Sequence, residues 1–337
     1  MKRERGILIA LLAAGAIVTA WCTPSKAALV DDEYSYTQPA GELVMPFDAT
    51  TSKSTFLIVS NITGTSSFGG GRITTHWEFW NEDCSHLLDT SVCLTLNDTV
   101  VMDPRNIQGI AEDNTPVGPK GNLDGFRGLV TVTSYETDSA CNAFGKSGEI
   151  GFGKSIPLDD AIVGAFTIAD TTAGFSFGND ALGLGLSSDG SHFVVPRGNT
   201  FLSFDVMTLN PQSLDNSTVM LVHLKASTSA VRVLPSAQTL NFSTNFIDNL
   251  EVSTSLPDTA VSCVNFTTVK GGLIPSNFDV NSSGLVRLSK SSPALTANDY
   301  LWGIHGQAVG SYGASSSLKN RGSASAAFID APQSLIE

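Results

Sequence analysis

Between Arg72 and Trp80 the chain reads Arg-Ile-Thr-Thr-His-Trp-Glu-Phe-Trp, so Ile73, Thr75, Trp77 and Phe79 alternate with Thr74, His76, Glu78 and Trp80. A period of two marks a strand with one face on a core. Trp77 and Phe79 are therefore expected inside, and His76, Glu78 and Trp80 outside. Similar short apolar runs recur at 56–60, 92–96, 99–102, 126–134, 161–169, 192–195 and 200–209, then at 218–225, 230–234, 260–269, 284–288 and 301–306. Gly, Asn, Asp or Pro separates most of them. Many short strands punctuated by turns predict an all-β, antiparallel β-sandwich. Short helical turns are expected at 104–110 and 211–214, and residues 28–52 read as a polar first strand or arm.

A faint internal echo runs through these strands. Ser54-Thr55-Phe56-Leu57-Ile58-Val59 resembles Ser217-Thr218-Val219-Met220-Leu221-Val222, and Gly128-Leu129-Val130 resembles Gly284-Leu285-Val286. Order is kept while identities are few, which is compatible with two related β-halves or with coincidence between short strands. The expected organisation is a leader over 1–27, a β-sandwich domain over 28–200, a second β-rich half over 201–316 and a loose tail over 317–337, with looseness setting in from Ser315.

The first segment changes the compartment. Lys2, Arg3 and Arg5 precede an uncharged apolar run from Gly6 to Trp21, followed by small and polar residues up to Ala28. That is the layout of a secretory signal with a cut after Ala27; an uncleaved anchor is the alternative. Bulky Trp21 before Cys22 disfavours lipidation. No later run is long enough to span a bilayer as a helix. The formal net charge is −13 at pH 7 and only 15% of residues are charged. Such an acidic chain, with no basic patch, argues against nucleic-acid binding. The six Asn-x-Ser/Thr sequons, at Asn61, Asn97, Asn216, Asn241, Asn265 and Asn281, reflect an Asn/Ser/Thr-rich composition in a leader of bacterial style.

Candidate chemistry is thin. Without Cys22 there remain Cys84, Cys93, Cys141 and Cys263, and an even number in an exported chain suggests two disulfides. Cys84–Cys93 is the expected pair, as a hairpin staple contributing about 2–3 kcal/mol, which leaves Cys141–Cys263. Their spacing lacks the close pair of a cysteine zinc site. Trp80 with His76 and Glu78 forms a candidate ligand surface. Glu82, Asp83 and Asp89, among the acids around the cysteine hairpin, form a candidate Ca²⁺ site, since that ion takes oxygen ligands. Gly148–Ser155 matches the letters of a phosphate-cradling loop, but its flanks lack the required strand and helix. Leu256-Pro257-Asp258-Thr259-Ala260 approaches a cell-wall sorting signal without the apolar span and basic tail that should follow. No histidine spacing or nucleophile elbow identifies a hydrolase.

The stretches Thr75–Cys84, Leu94–Val101, Gly125–Val130 and Ile162–Phe166 are similar to a recurrent pattern in uncharacterised exported bacterial proteins: a strand ending in an acidic Cys segment, a T-x-N-D-T strand and a G-x-x-G-x-V strand. The resemblance covers about residues 54–178. It implies a secreted β-sandwich and carries no catalytic residues. The expectation is an exported, non-enzymatic structural or adhesion-type protein of the cell envelope or extracellular space, meeting a surface protein or glycan. The alternatives are a carbohydrate- or Ca²⁺-binding module and a hydrolase whose site forms only in the fold.

Overall fold

The computed structural model describes residues 39–63, 71–107, 122–136, 158, 160–185, 203–208, 218–226, 233–248, 250–276, 284–292, 299–309 and 312–318. Among them are eighteen strands and no helix. The first nine are β1 (Glu42–Asp48), β2 (Lys53–Asn61), β3 (Ile73–Asn81), β4 (His86–Leu94), β5 (Thr99–Met102), β6 (Arg127–Glu136), β7 (Ile162–Asp170), β8 (Phe175–Asp180) and β9 (Leu182–Leu184). The others are β10 (Ser203–Thr208), β11 (Thr218–Ala226), β12 (Val233–Pro235), β13 (Leu240–Asp248), β14 (Ser253–Val261), β15 (Val264–Thr268), β16 (Gly284–Ser292), β17 (Asp299–Val309) and β18 (Tyr312–Leu318).

Strand pairing is antiparallel and stays within each group of nine. The first group forms a sheet in the order β4-β3-β6-β1-β9 and another in the order β5-β2-β7-β8. The second forms β10-β16-β13-β14 and β12-β11-β17-β18, with β15 also on β11. The described strands thus form an antiparallel β-sandwich assembly of four sheets. All the strands belong to one compact unit, Glu33–Glu337.

Burial along the strands follows from layering. On β2, Thr55, Leu57, Val59 and Asn61 are buried while Phe56 is 41% exposed, the alternation of a sheet with one wet face. On β1 every residue is buried, and on β3 every residue from Ile73 to Phe79 is buried. The β3 sheet is therefore covered on both sides. Its inner face joins Phe47, Trp77 and Phe79 to Leu57, Phe166 and Ile168 of the β2 sheet. Phe47 meets Phe79 edge-on at 5.6 Å, and Trp77 Nε1–H donates to Thr75 Oγ1 at 2.9 Å. The same cluster takes in Met220, Val222, Leu224, Trp302 and Ile304 of the second half. The opposite side of β11, Val219 and Leu221, packs with Phe242, Phe246, Val286 and Leu288 in a second core.

Three departures from the sequence expectation have plain causes. Strands β14 and β18 lie in polar, Ser-rich segments with little hydrophobic alternation, and pairing with neighbours makes them strands; β13, outside the expected runs, alternates buried Leu240, Phe242 and Phe246 with polar residues. Ser315–Leu318 accordingly belongs to β18, hydrogen-bonded along β17, and is not part of a loose tail. The segment 256–260 lies inside the edge strand β14, with Pro257 at a break in the β13 register, where a sheet tolerates a residue lacking N–H. From Asp103 the chain makes a single turn, Asn106 N–H donating to Asp103 C=O at 2.8 Å, and no helix follows among the described residues. The expected elements at 192–195 and 211–214, the glycine-rich loop 148–155 and Cys141 lie outside the described residues.

Candidate functional site

Register determines which side chains share the second face of the β3 sheet. Across the β3–β4 pair, His76 stands opposite Ser91, and Glu78 opposite Asp89; a register shift then sets Trp80 opposite His86. Across β3–β6, Glu78 faces Thr131 and His76 faces Thr133. Thr133 in turn faces Glu42 on β1. Partners in register project to one side of a sheet, so Thr74, His76, Glu78, Trp80, Asp89, Thr131, Thr133 and Glu42 form one polar patch.

The sequence expectation that His76 and Glu78 face solvent is corrected here. They lie opposite the Trp77 face, but His76 is 5% and Glu78 4% exposed, because the β3 sheet is an interior layer. Period two tells which face a residue takes, not whether that face meets water. His76, Glu78 and Asp89 bring a ring nitrogen and two carboxylate oxygens within 4.8 Å of one another. Asp89 is half-buried, and its Oδ1 lies 2.5 Å from His86 Nε2. His86 also packs edge-to-face on Trp80, with ring centres 4.9 Å apart. Beside the cluster, Thr74 Oγ1, Thr131 Oγ1 and Trp80 Nε1 are buried without a hydrogen-bond partner.

The other acids proposed for Ca²⁺ are engaged elsewhere. Glu82 Oε2 accepts from Arg127 Nε at 2.5 Å, and Arg127 also stacks over the Phe266 ring at 5.3 Å. Asp83 is exposed and accepts from the Ser85 hydroxyl at 2.6 Å and the Ser85 N–H at 2.9 Å. Those bonds hold its carboxyl below the ordinary carboxylate value. Of Glu82, Asp83 and Asp89, only Asp89 joins the cluster.

The cysteine pairing also differs from expectation. Cys84 is bonded to Cys263, across a sequence separation of 179 and a Cα–Cα distance of 5.4 Å. Cys84 lies in the β3–β4 turn, whereas Cys93 stands opposite Thr74 at the other end of the same hairpin. Nine residues of extended chain span about 30 Å, far beyond the reach of a disulfide. A Cys84–Cys93 bridge is thus excluded, and Cys141–Cys263 with it. Cys93 is itself disulfide-bonded. Both Cys84 (φ 69°) and Cys263 (φ 56°) are left-handed, each at a sharp turn, and the bridge joins turns from the two halves. Elsewhere the two halves also meet through Val233 N–H, which donates to Glu42 Oε2 at 2.9 Å.

Sequence reasoning missed Thr131 and Glu42. The Val-Thr-Val-Thr alternation in β6 could have marked Thr131 as belonging to one face, but only the register with Glu78 gives it a neighbour. Glu42 lay in a segment read as a polar first strand or arm, and it opens the strand β1. A scan against protein-family models finds no match for this chain, and a search of curated proteins likewise finds none.

Proposed function

We propose that the chain is an exported bacterial protein with a non-enzymatic, structural or adhesion-type role at the cell envelope or outside the cell. The observation that carries the reading is the Cys84–Cys263 bridge, which ties turns of the two halves together. Such bonds persist in oxidising compartments and are rare in the cytosol. The basic and apolar leader over 1–27, the acidic composition and the resemblance to exported β-sandwich proteins support the same compartment. Among the described residues no helix is long and apolar enough to cross a membrane.

The non-enzymatic part is supported by where the reactive side chains sit. His76 and Glu78 are enclosed in an interior layer, which suits holding a structure together better than meeting a substrate. Trp80 is half-buried against His86, so a sugar-stacking role gains no support from it. The test is to recover the protein from the producing cell. A mass starting at Ala28, a linked Cys84–Cys263 peptide, and altered surface architecture or attachment on deletion of the gene are expected. An intact leader in a reduced cytosolic protein would overturn the compartment. Unchanged surface and attachment would overturn the role.

A further inference from the structure

We infer that His76, Glu78 and Asp89 form a binding site for one divalent transition-metal cation of the Zn²⁺ type, built into the polar face of the β3 sheet. This inference stands independently of export. The donor atoms lie within 4.8 Å of one another, a spread that a cation at about 2.0–2.2 Å from each ligand draws together with small side-chain rotations. All three project from neighbouring positions on two paired strands, so the backbone ladder holds them rather than a loop.

Charge supplies the second argument. Glu78 and Asp89 stand directly opposite each other across the β3–β4 ladder. Like charges in that relation are destabilising, and more so with one of them 4% exposed, where the dielectric is low. A divalent cation between them converts the repulsion into attraction and neutralises the pair. The third argument comes from the surrounding polar atoms. Thr131, 0% exposed and opposite Glu78, has an Oγ1 without a hydrogen-bond partner, and Thr74 Oγ1 and Trp80 Nε1 on the same face share that condition. Buried polar atoms are ordinarily satisfied. A cation carrying its own water ligand offers such groups something to bond.

The donor set selects the metal. One imidazole and two carboxylates suit Zn²⁺, which takes nitrogen and oxygen in a tetrahedral shell and completes it with water. Ca²⁺ takes six to eight oxygens, and the described cluster offers fewer. His86 completes the arrangement as an orienting residue. Its Nε2 lies 2.5 Å from Asp89 Oδ1, the outer-shell support that bound carboxylates commonly receive.

The experiment uses the full exported chain with its disulfides intact, stripped with EDTA and titrated with Zn²⁺ alone by calorimetry, with thermal melting in parallel. One Zn²⁺ per chain and a raised melting temperature are expected, with Ca²⁺ failing to compete. Glu78→Gln and Asp89→Asn should each weaken binding at least about tenfold, and His86→Gln by less. Co²⁺ in place of Zn²⁺ should give a visible spectrum with no thiolate charge-transfer band. Should Glu78→Gln not fold, Asp89→Asn, at a half-exposed position, carries the test. No saturable Zn²⁺ binding, equal affinity in wild type and Asp89→Asn, or preference for Ca²⁺ would each overturn the site.

Discussion

Removing the Cys84–Cys263 bridge should separate what the covalent link contributes from what packing contributes. The perturbation is the double variant Cys84→Ala/Cys263→Ala. With the two residues 179 apart in sequence, the chain-entropy relation gives a ceiling of about 5 kcal/mol at 25 °C for constraining the unfolded chain. The bridge at Cys93 already restricts that chain, so about 3–4 kcal/mol is the expected loss. The assay is denaturant unfolding of wild type and variant under oxidising conditions, with the midpoint shift converted through a shared slope. A companion measurement fixes the pairing: Cys263→Ala alone should free one thiol, at Cys84, while Cys93 stays protected from alkylation. A stability loss below about 1 kcal/mol would refute the reasoning that the bridge is a principal tie between the halves. A freed thiol at Cys93 would refute the pairing.

Other outcomes follow from particular contacts. His305 is 6% exposed, its Nε2 has no hydrogen-bond partner, and burial pushes its pKa from 6.5 to about 4. The folded state then resists a proton that the unfolded chain accepts. Stability is full above pH 6.5 and falls through about pH 4, by about 3 kcal/mol in all; His305→Gln should flatten that slope in urea midpoints taken from pH 7 to 4, and an unchanged slope counts against it. A side chain at Gly306 would place its Cβ 2.8 Å from the Phe177 ring, between the halves, so Gly306→Val should cost about 1–3 kcal/mol. Pairing it with Phe177→Ala should recover part of that loss, and strict additivity in thermal melts would reject the contact. Asn61 is fully buried, with Nδ2 donating to the carbonyls of Gly71, Leu94 and Thr95. Asn61→Ala should therefore cost about 3 kcal/mol, and a loss under about 0.5 kcal/mol would show those carbonyls to be satisfied otherwise.

Local chemistry was enough to establish the class of fold and the two faces of its best strand. The Ile73-Thr75-Trp77-Phe79 alternation names the inner face because successive side chains in a strand must point apart, whatever the rest of the chain does. The abundance of Gly, Asn, Ser and Thr, with few charges, disfavours long helices for equally local reasons. What lies on the far side of a face is not local. His76 and Glu78 read as surface residues because alternation is silent about a second layer, and they are interior because the β3 sheet is covered on both sides. The same holds for the cysteines. Sequence proximity favoured Cys84–Cys93, but a hairpin carries those two to opposite ends, while the packing of the halves brings Cys263 to Cys84. Polar strands such as β14 and β18 left little trace in the sequence, since their edge positions ask for backbone pairing more than apolar side chains. Residue types and periodicity thus determined the strands and their inward faces; partners, burial and the His76–Glu78–Asp89 cluster were decided by register and layering, which join residues that no local signal connects.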